Sequence, residues 1–147
     1  MRRLAAVFSG IGGGVSTIAF FLPWISFNCA GENRSVSGLE MAQENDPAVW
    51  AVLGCAAALL LLGPLLGERA GAFLLRLTLA LAGTALLVYQ YLHQVHDAEL
   101  ELKAWGHTLE AISVRLEPGG YGAVGGFLLA VLASAVGLKS QASDQSS

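Results

Sequence analysis

Three side chains offer metal-binding chemistry by type and spacing. His93, His96 and Asp97 stand at i, i+3 and i+4, so a helix would put two imidazoles and a carboxylate on one face, where they can chelate a divalent cation. His107 is near enough in sequence to add a ligand. The competing reading is an ordinary solvated helix face at a membrane boundary. His93, at the end of an apolar run, can also ligate a haem or chlorin alone; no second histidine inside an apolar run supports a bis-histidine haem. Cys29 and Cys55 form neither a CxxC pair nor a metal-ligand spacing with histidine. Cys29 can pair with another chain or a redox partner, or stay a free packed thiol. Bonding to Cys55, about 12 Å along a helix from Pro47, would require Cys29 to dip into the helices.

Arg76 is the clear charge within an apolar run, a placement that costs about 2.5–3.5 kcal/mol on insertion scales. Snorkelling to lipid phosphate or pairing with Glu68 accounts for it, against a role along a substrate path. Asn33-Arg34-Ser35 spells a glycosylation sequon, relevant only with a secretory glycosylation system. The Gly10–Gly14 cluster lacks the strand and loop of a phosphate-binding turn, and close helix packing explains it better. No catalytic constellation emerges, and no acidic or basic relay crosses the apolar runs. The chain is expected not to be an enzyme.

The elements that position these residues follow from composition and periodicity. Of 147 residues 54% are hydrophobic and 13% charged, too apolar a balance for an ordinary soluble domain. Net charge is −3 with dispersed Lys and Arg, which sets nucleic-acid binding aside. Four apolar runs, 4–24, 47–67, 70–92 and 120–138, predict four membrane spans in one domain, 1–139, with loops 25–46 and 93–119 on one side. The first run could be taken for a signal peptide, but its uncharged length of about 20 residues exceeds a signal core of roughly 7–15. A lipoprotein site would want small residues where Phe27 and Asn28 precede Cys29. Pro23 and Trp24 are expected to end that span, the tryptophan at the lipid interface.

Ile25, Phe27 and Cys29 then alternate with polar or small residues, turn at residues 31–34 and resume at residues 35–38, a β-hairpin. A hairpin alone is marginal. Ile112, Val114 and Leu116 alternate with Ser113, Arg115 and Glu117 and supply the missing third strand. The third helix is predicted to continue past residue 92, because Val88, Leu92, Val95 and Leu102 keep helical spacing. Asp46 and Pro47 start the second span, and Gly63-Pro64 should kink or end it. Gly122, Gly126, Ala130 and Ser134 form a small-residue stripe on the last span, suited to the first helix or a partner. Lys139 is expected to stop that span, leaving 140–147 as a disordered cytoplasmic tail.

With both termini in the cytoplasm, Arg2, Arg3, Arg69, Arg76 and Lys139 lie inside against Arg34, Lys103 and Arg115 outside, the direction of the positive-inside rule.

This order of helix, hairpin, two helices, strand and helix resembles the claudin-like four-helix topology, in which two extracellular segments share one sheet. The chain is also similar to small bacterial four-span membrane proteins with a Leu-Pro-Trp end to the first span, a cysteine in the next strand and a Ser-Gly-Leu element. Here these are Leu22-Pro23-Trp24, Cys29 and Ser37-Gly38-Leu39. Claudins carry two cysteines after a Gly-Leu-Trp element, whereas this chain has one cysteine before Gly38, and Glu40 where a tryptophan would stand. The resemblance therefore implies an all-α membrane bundle with a small extracytoplasmic sheet, in a bacterial cytoplasmic membrane, and not the claudin barrier. The expected role is a structural or accessory subunit meeting other membrane subunits or itself. Trp24, Phe27, Cys29, Gly38, Leu39, Ile112, Val114, Gly122 and Gly126 are the expected contact residues. The alternative is a subunit carrying haem, chlorin or metal through His93 or His96 in a respiratory or photosynthetic complex.

Overall fold

The computed structural model describes residues 2–29, 32–43, 47–66, 69–104 and 112–145. In chain order the elements are α1 (Arg2–Ala19), β1 (Pro23–Cys29), β2 (Glu32–Ser37), α2 (Gly38–Gln43), α3 (Pro47–Leu65), α4 (Ala70–Ala104), β3 (Ile112–Leu116) and α5 (Pro118–Gln145). The chain is mostly helical with one small sheet. α1 packs against α5 and α3, and α4 packs against the same two helices, giving a four-cornered bundle with α1 diagonal to α4.

Small residues make the closest crossing. α1 buries Ala5, Ala6, Ser9, Gly10, Gly12, Gly13, Ser16 and Ala19. A Cβ on Gly126 would stand 2.5 Å from the Gly12 carbonyl oxygen, and one on Gly13 would stand 2.6 Å from the Leu60 nitrogen. Only glycine permits backbones that close. Along the same seam Ser16 Oγ donates to the Ala123 carbonyl at 3.0 Å, and the Ser9 and Ser134 hydroxyls meet at 3.4 Å. The large side chains point the other way: Leu4, Val7, Phe8, Ile11, Val15 and Ile18 are all exposed. α4 and α5 repeat the pattern, with Leu74, Leu81, Val88 and Leu92 outside on one and Leu128, Leu132 and Val136 on the other.

Among the described residues two helices are long and apolar enough to cross a membrane, over Gly71–Gln94 and Pro118–Ser143. That is fewer than the four expected spans. α1 is only 18 residues and opens with Arg2 and Arg3, and α3 contributes a shorter apolar stretch, Pro47–Gly63. α1 also stops before the expected boundary, because 20–22 turn and Pro23 and Trp24 belong to β1. Its last carbonyls are claimed at once: Phe20 N–H donates to Ser16 O, and Leu22 N–H and the Trp24 indole both donate to Ala19 O. α3 ends at Leu65, one residue past Gly63-Pro64, where a kink or an end was expected, and short of residue 67. α5 runs six residues past Lys139, so 140–145 is helical where a disordered tail was expected. No glycine or proline follows Lys139 to end the ladder.

The sheet has order β2-β1-β3 and is antiparallel throughout. On one side of β1, Phe27 pairs with Arg34 and Asn28 with Asn33; on the other, Phe27 pairs with Val114 and Cys29 with Ile112. β1 is therefore the central strand. β2 begins at Glu32, inside the turn expected at residues 31–34, so the sequon asparagine Asn33 stands in a strand. A register shift between Pro23 and Ile25 marks the strand start, where proline has no N–H to give the ladder.

Candidate functional site

The expected contact residues converge where the sheet meets the bundle. Trp24 is 4% exposed, not interfacial. Its indole packs edge-on to Phe20, centroids 5.6 Å apart at 89°, and its N–H donates to Ala19 O at 2.8 Å. Gly38 makes the slot: a Cβ there would sit 2.7 Å from the Trp24 ring and 2.8 Å from the Phe20 carbonyl oxygen. Leu39 is half-buried against the same core, and its N–H donates to Phe20 O at 3.2 Å. The Leu-Pro-Trp and Ser-Gly-Leu segments are thus two halves of one joint. Burial of a tryptophan, its ring edge and its hydrogen bond together make this a rigid anchor for β1.

Two polar devices hold the joint. Ser37 and Glu40 form a capping box on α2: Ser37 N–H donates to Glu40 Oε2 at 2.7 Å, and Glu40 N–H donates to Ser37 Oγ at 3.2 Å. Ser26 Oγ donates to Glu117 Oε1 at 2.7 Å, while Glu117 N–H donates to the Trp24 carbonyl at 2.8 Å. Ser26 and Glu117 thus tie β1 to the start of α5. Sequence reasoning missed both, although the Ser-x-x-Glu signature of the box was visible at residues 37–40.

A cavity of about 210 Å³ lies beneath the joint, between α4, α5 and the sheet. Trp24, Ile25, Met41 and Leu87 form its buried part, and Gln90, 3% exposed, lies on its α4 wall.

The histidines lie apart from this joint on α4. His93 and His96 are exposed, and the His93 ring stands edge-on to Tyr89 at 5.8 Å. The Asp97 side chain and His107 lie outside the described residues, as do the side chains of Phe27, Cys29, Ile112 and Val114. Among the described residues no group of three or more His, Cys, Asp or Glu is placed to hold a metal ion. Cys55 carries a free thiol, half-buried on α3. Gly122 and Gly126 face α1: the first would bring a Cβ 3.1 Å from Ala19 Cβ, and the second meets Gly12 and Ser16.

Arg76 turns inward, against the expectation that it snorkels. It is fully buried, its terminal amine NH2 donates to Gly63 O at 2.7 Å and Leu62 O at 3.2 Å, and its guanidinium lies 5.0 Å over the Phe73 ring. Gly137 leaves the room for that ring. A cation at a helix C-terminus answers both the unmet carbonyls and the negative end of the dipole, so Arg76 fastens α3 to α4. Glu68, the other expected partner, lies outside the described residues.

No family model matches the chain, and no curated protein or solved structure matches it at a significant level.

Proposed function

We propose that this chain is an integral membrane protein of four packed helices, non-enzymatic, that serves as a structural or accessory subunit of a membrane assembly. The supporting observation is an exterior as apolar as the core: Leu4, Phe8, Ile11 and Ile18 of α1 face out, as do Leu74, Leu81 and Leu92 of α4 and Leu128 and Leu132 of α5, while Ser9, Ser16, Gln90 and Arg76 are inside. Water penalises such a surface, and lipid tails accept it. α1 and α3 then lie in the bilayer beside the two long helices, with both termini cytoplasmic and the sheet outside, as in the claudin-like layout. α4, at 35 residues about 52 Å long, exceeds a hydrocarbon core of about 30 Å and carries the sheet's last strand clear of the membrane.

Because the glycine faces of α1 and α5 are spent on each other, the surface left for other subunits, or for a second copy, is the sheet with the outer apolar helix faces. Membranes from the native source, washed with carbonate and then solubilised in mild detergent, test this. The chain should resist the carbonate wash and migrate as a complex larger than itself. Release by carbonate overturns the membrane reading, and a clean monomer without partners overturns the subunit reading.

A further inference from the structure

We infer that the cavity under the sheet is a binding site for one aliphatic chain of a membrane lipid; this rests on the membrane reading above. At about 210 Å³ it exceeds the roughly 150 Å³ apolar cavity that accommodates a benzene ring. The site is open on one side rather than sealed, and leaving it empty costs the fold the contacts its walls would make. Its walls identify the guest. Trp24, Ile25, Met41 and Leu87 are 3–6% exposed and offer no charge, whereas Val88 and Leu92 on its rim are 50% and 61% exposed. The opening is thus continuous with the helix surface that faces lipid. The α4 part of the wall, Leu87 to Gln94, runs about 10 Å along the helix and lies at the end of the membrane-length stretch Gly71–Gln94. Along it Leu87, Val88 and Leu92 alternate with Gln90, Tyr91 and Gln94. Trp24, Ile25 and Leu116 line the sheet side, so the wall is apolar at both ends. A lining apolar at both ends, opening onto a face that meets lipid, suits a hydrocarbon chain. A peptide would bring backbone groups that the buried end, Trp24, Ile25, Met41 and Leu87, leaves unsatisfied.

Trp24 reports on occupancy directly. In the full chain carrying Trp50→Phe and Trp105→Phe it is the sole tryptophan, and it is shielded from bulk lipid by its burial. This protein is reconstituted in phosphatidylcholine vesicles and in vesicles of the same lipid brominated along its acyl chains. Trp24 emission should fall about two-fold in the brominated vesicles, since a chain in the cavity lies within about 4 Å of the ring. Val124→Phe, which fills the cavity, should restore the emission. If that variant loses its helical circular dichroism, Val88→Phe at the exposed rim makes the same test. Equal emission in both vesicle types, or quenching that the filling variants leave unchanged, overturns the lipid site while the membrane reading stands. Protein that fails to float with the vesicles overturns the membrane reading and this inference with it.

Discussion

Gly126→Ala adds one methyl group at the α1–α5 crossing, and its effect follows from two opposing terms. A Cβ there would stand 2.5 Å from Gly12 O and 2.8 Å from Ser16 N, both backbone atoms, so it falls short of van der Waals contact by about 1 Å. Backbone does not swing aside as a side-chain end would, so the helices must part. Overpacking of this kind costs about 1–3 kcal/mol, and losing the Ser16 to Ala123 hydrogen bond adds about 1 kcal/mol. Alanine in place of glycine in a helix returns about 1 kcal/mol. The net loss is about 2 kcal/mol. Gly125→Ala is the control next door, because nothing lies within 4 Å of its Cβ position and only the helix gain of up to about 1 kcal/mol remains. Helicity followed as sodium dodecyl sulfate displaces a mild detergent should show the two variants about 3 kcal/mol apart. Gly12→Ala should lose a similar amount to Gly126→Ala. Combining them should cost less than the sum, since one separation of the helices accommodates both methyls. Gly126→Ala within about 0.5 kcal/mol of Gly125→Ala refutes the tight crossing.

Arg76→Ala should destabilise the protein by about 3 kcal/mol in the same titration, because the carbonyls of Leu62 and Gly63 lose a charged donor and a hole opens beside Phe73. Arg76→Met, which keeps the volume, should recover part of that loss. Trp24→Ala should cost about 3–5 kcal/mol and Trp24→Phe about 1–2 kcal/mol, since the second removes chiefly the hydrogen bond to Ala19 and some ring area. In a background with Cys29 and Cys55 replaced by serine, Ser26→Cys with Arg115→Cys should form a disulfide under mild oxidation. The pair Ser26→Cys with Ser113→Cys should not, because opposed strand residues meet bonding geometry and two-residue offsets do not. Equal crosslinking of the two pairs would mean a mobile register.

The fold was readable where periodicity speaks. Alternation at residues 25–29 and 112–116 announced two strands with one unpaired edge, and apolar spacing past Leu92 announced a long α4. Which residues oppose each other was not readable, because alternation allows any even slip of register. Trp24 shows why the candidate site was harder. An aromatic after a proline at the end of an apolar run suits a membrane interface, and its burial depends on Gly38, which leaves a slot at a distance in sequence no local pattern reports. Arg76 is similar: the cost of its burial was evident, but the answer, two carbonyls at the end of another helix, is tertiary. The small stripe of α5 was legible as a contact, and the structure supplies its partner as α1. The remaining expectations for Asp97, His107 and the outer strand side chains fall outside the described residues.

The pairing of α1 with α5 also sets the schedule of biogenesis. The Ser9–Ser134 and Ser16–Ala123 contacts join residues 125 and 107 apart, so the first helix made is completed by the last. At about 5–20 residues per second, α1 waits some 5–20 s after emerging before α5 is translated. During that interval Gly10 and Gly13 already have the α3 backbone to meet, whereas Gly12, Ser16 and Ser9 still lack their partners on α5. A nascent chain arrested before residue 118 thus has α1 packed on α3 but lacks the helix that closes its other face.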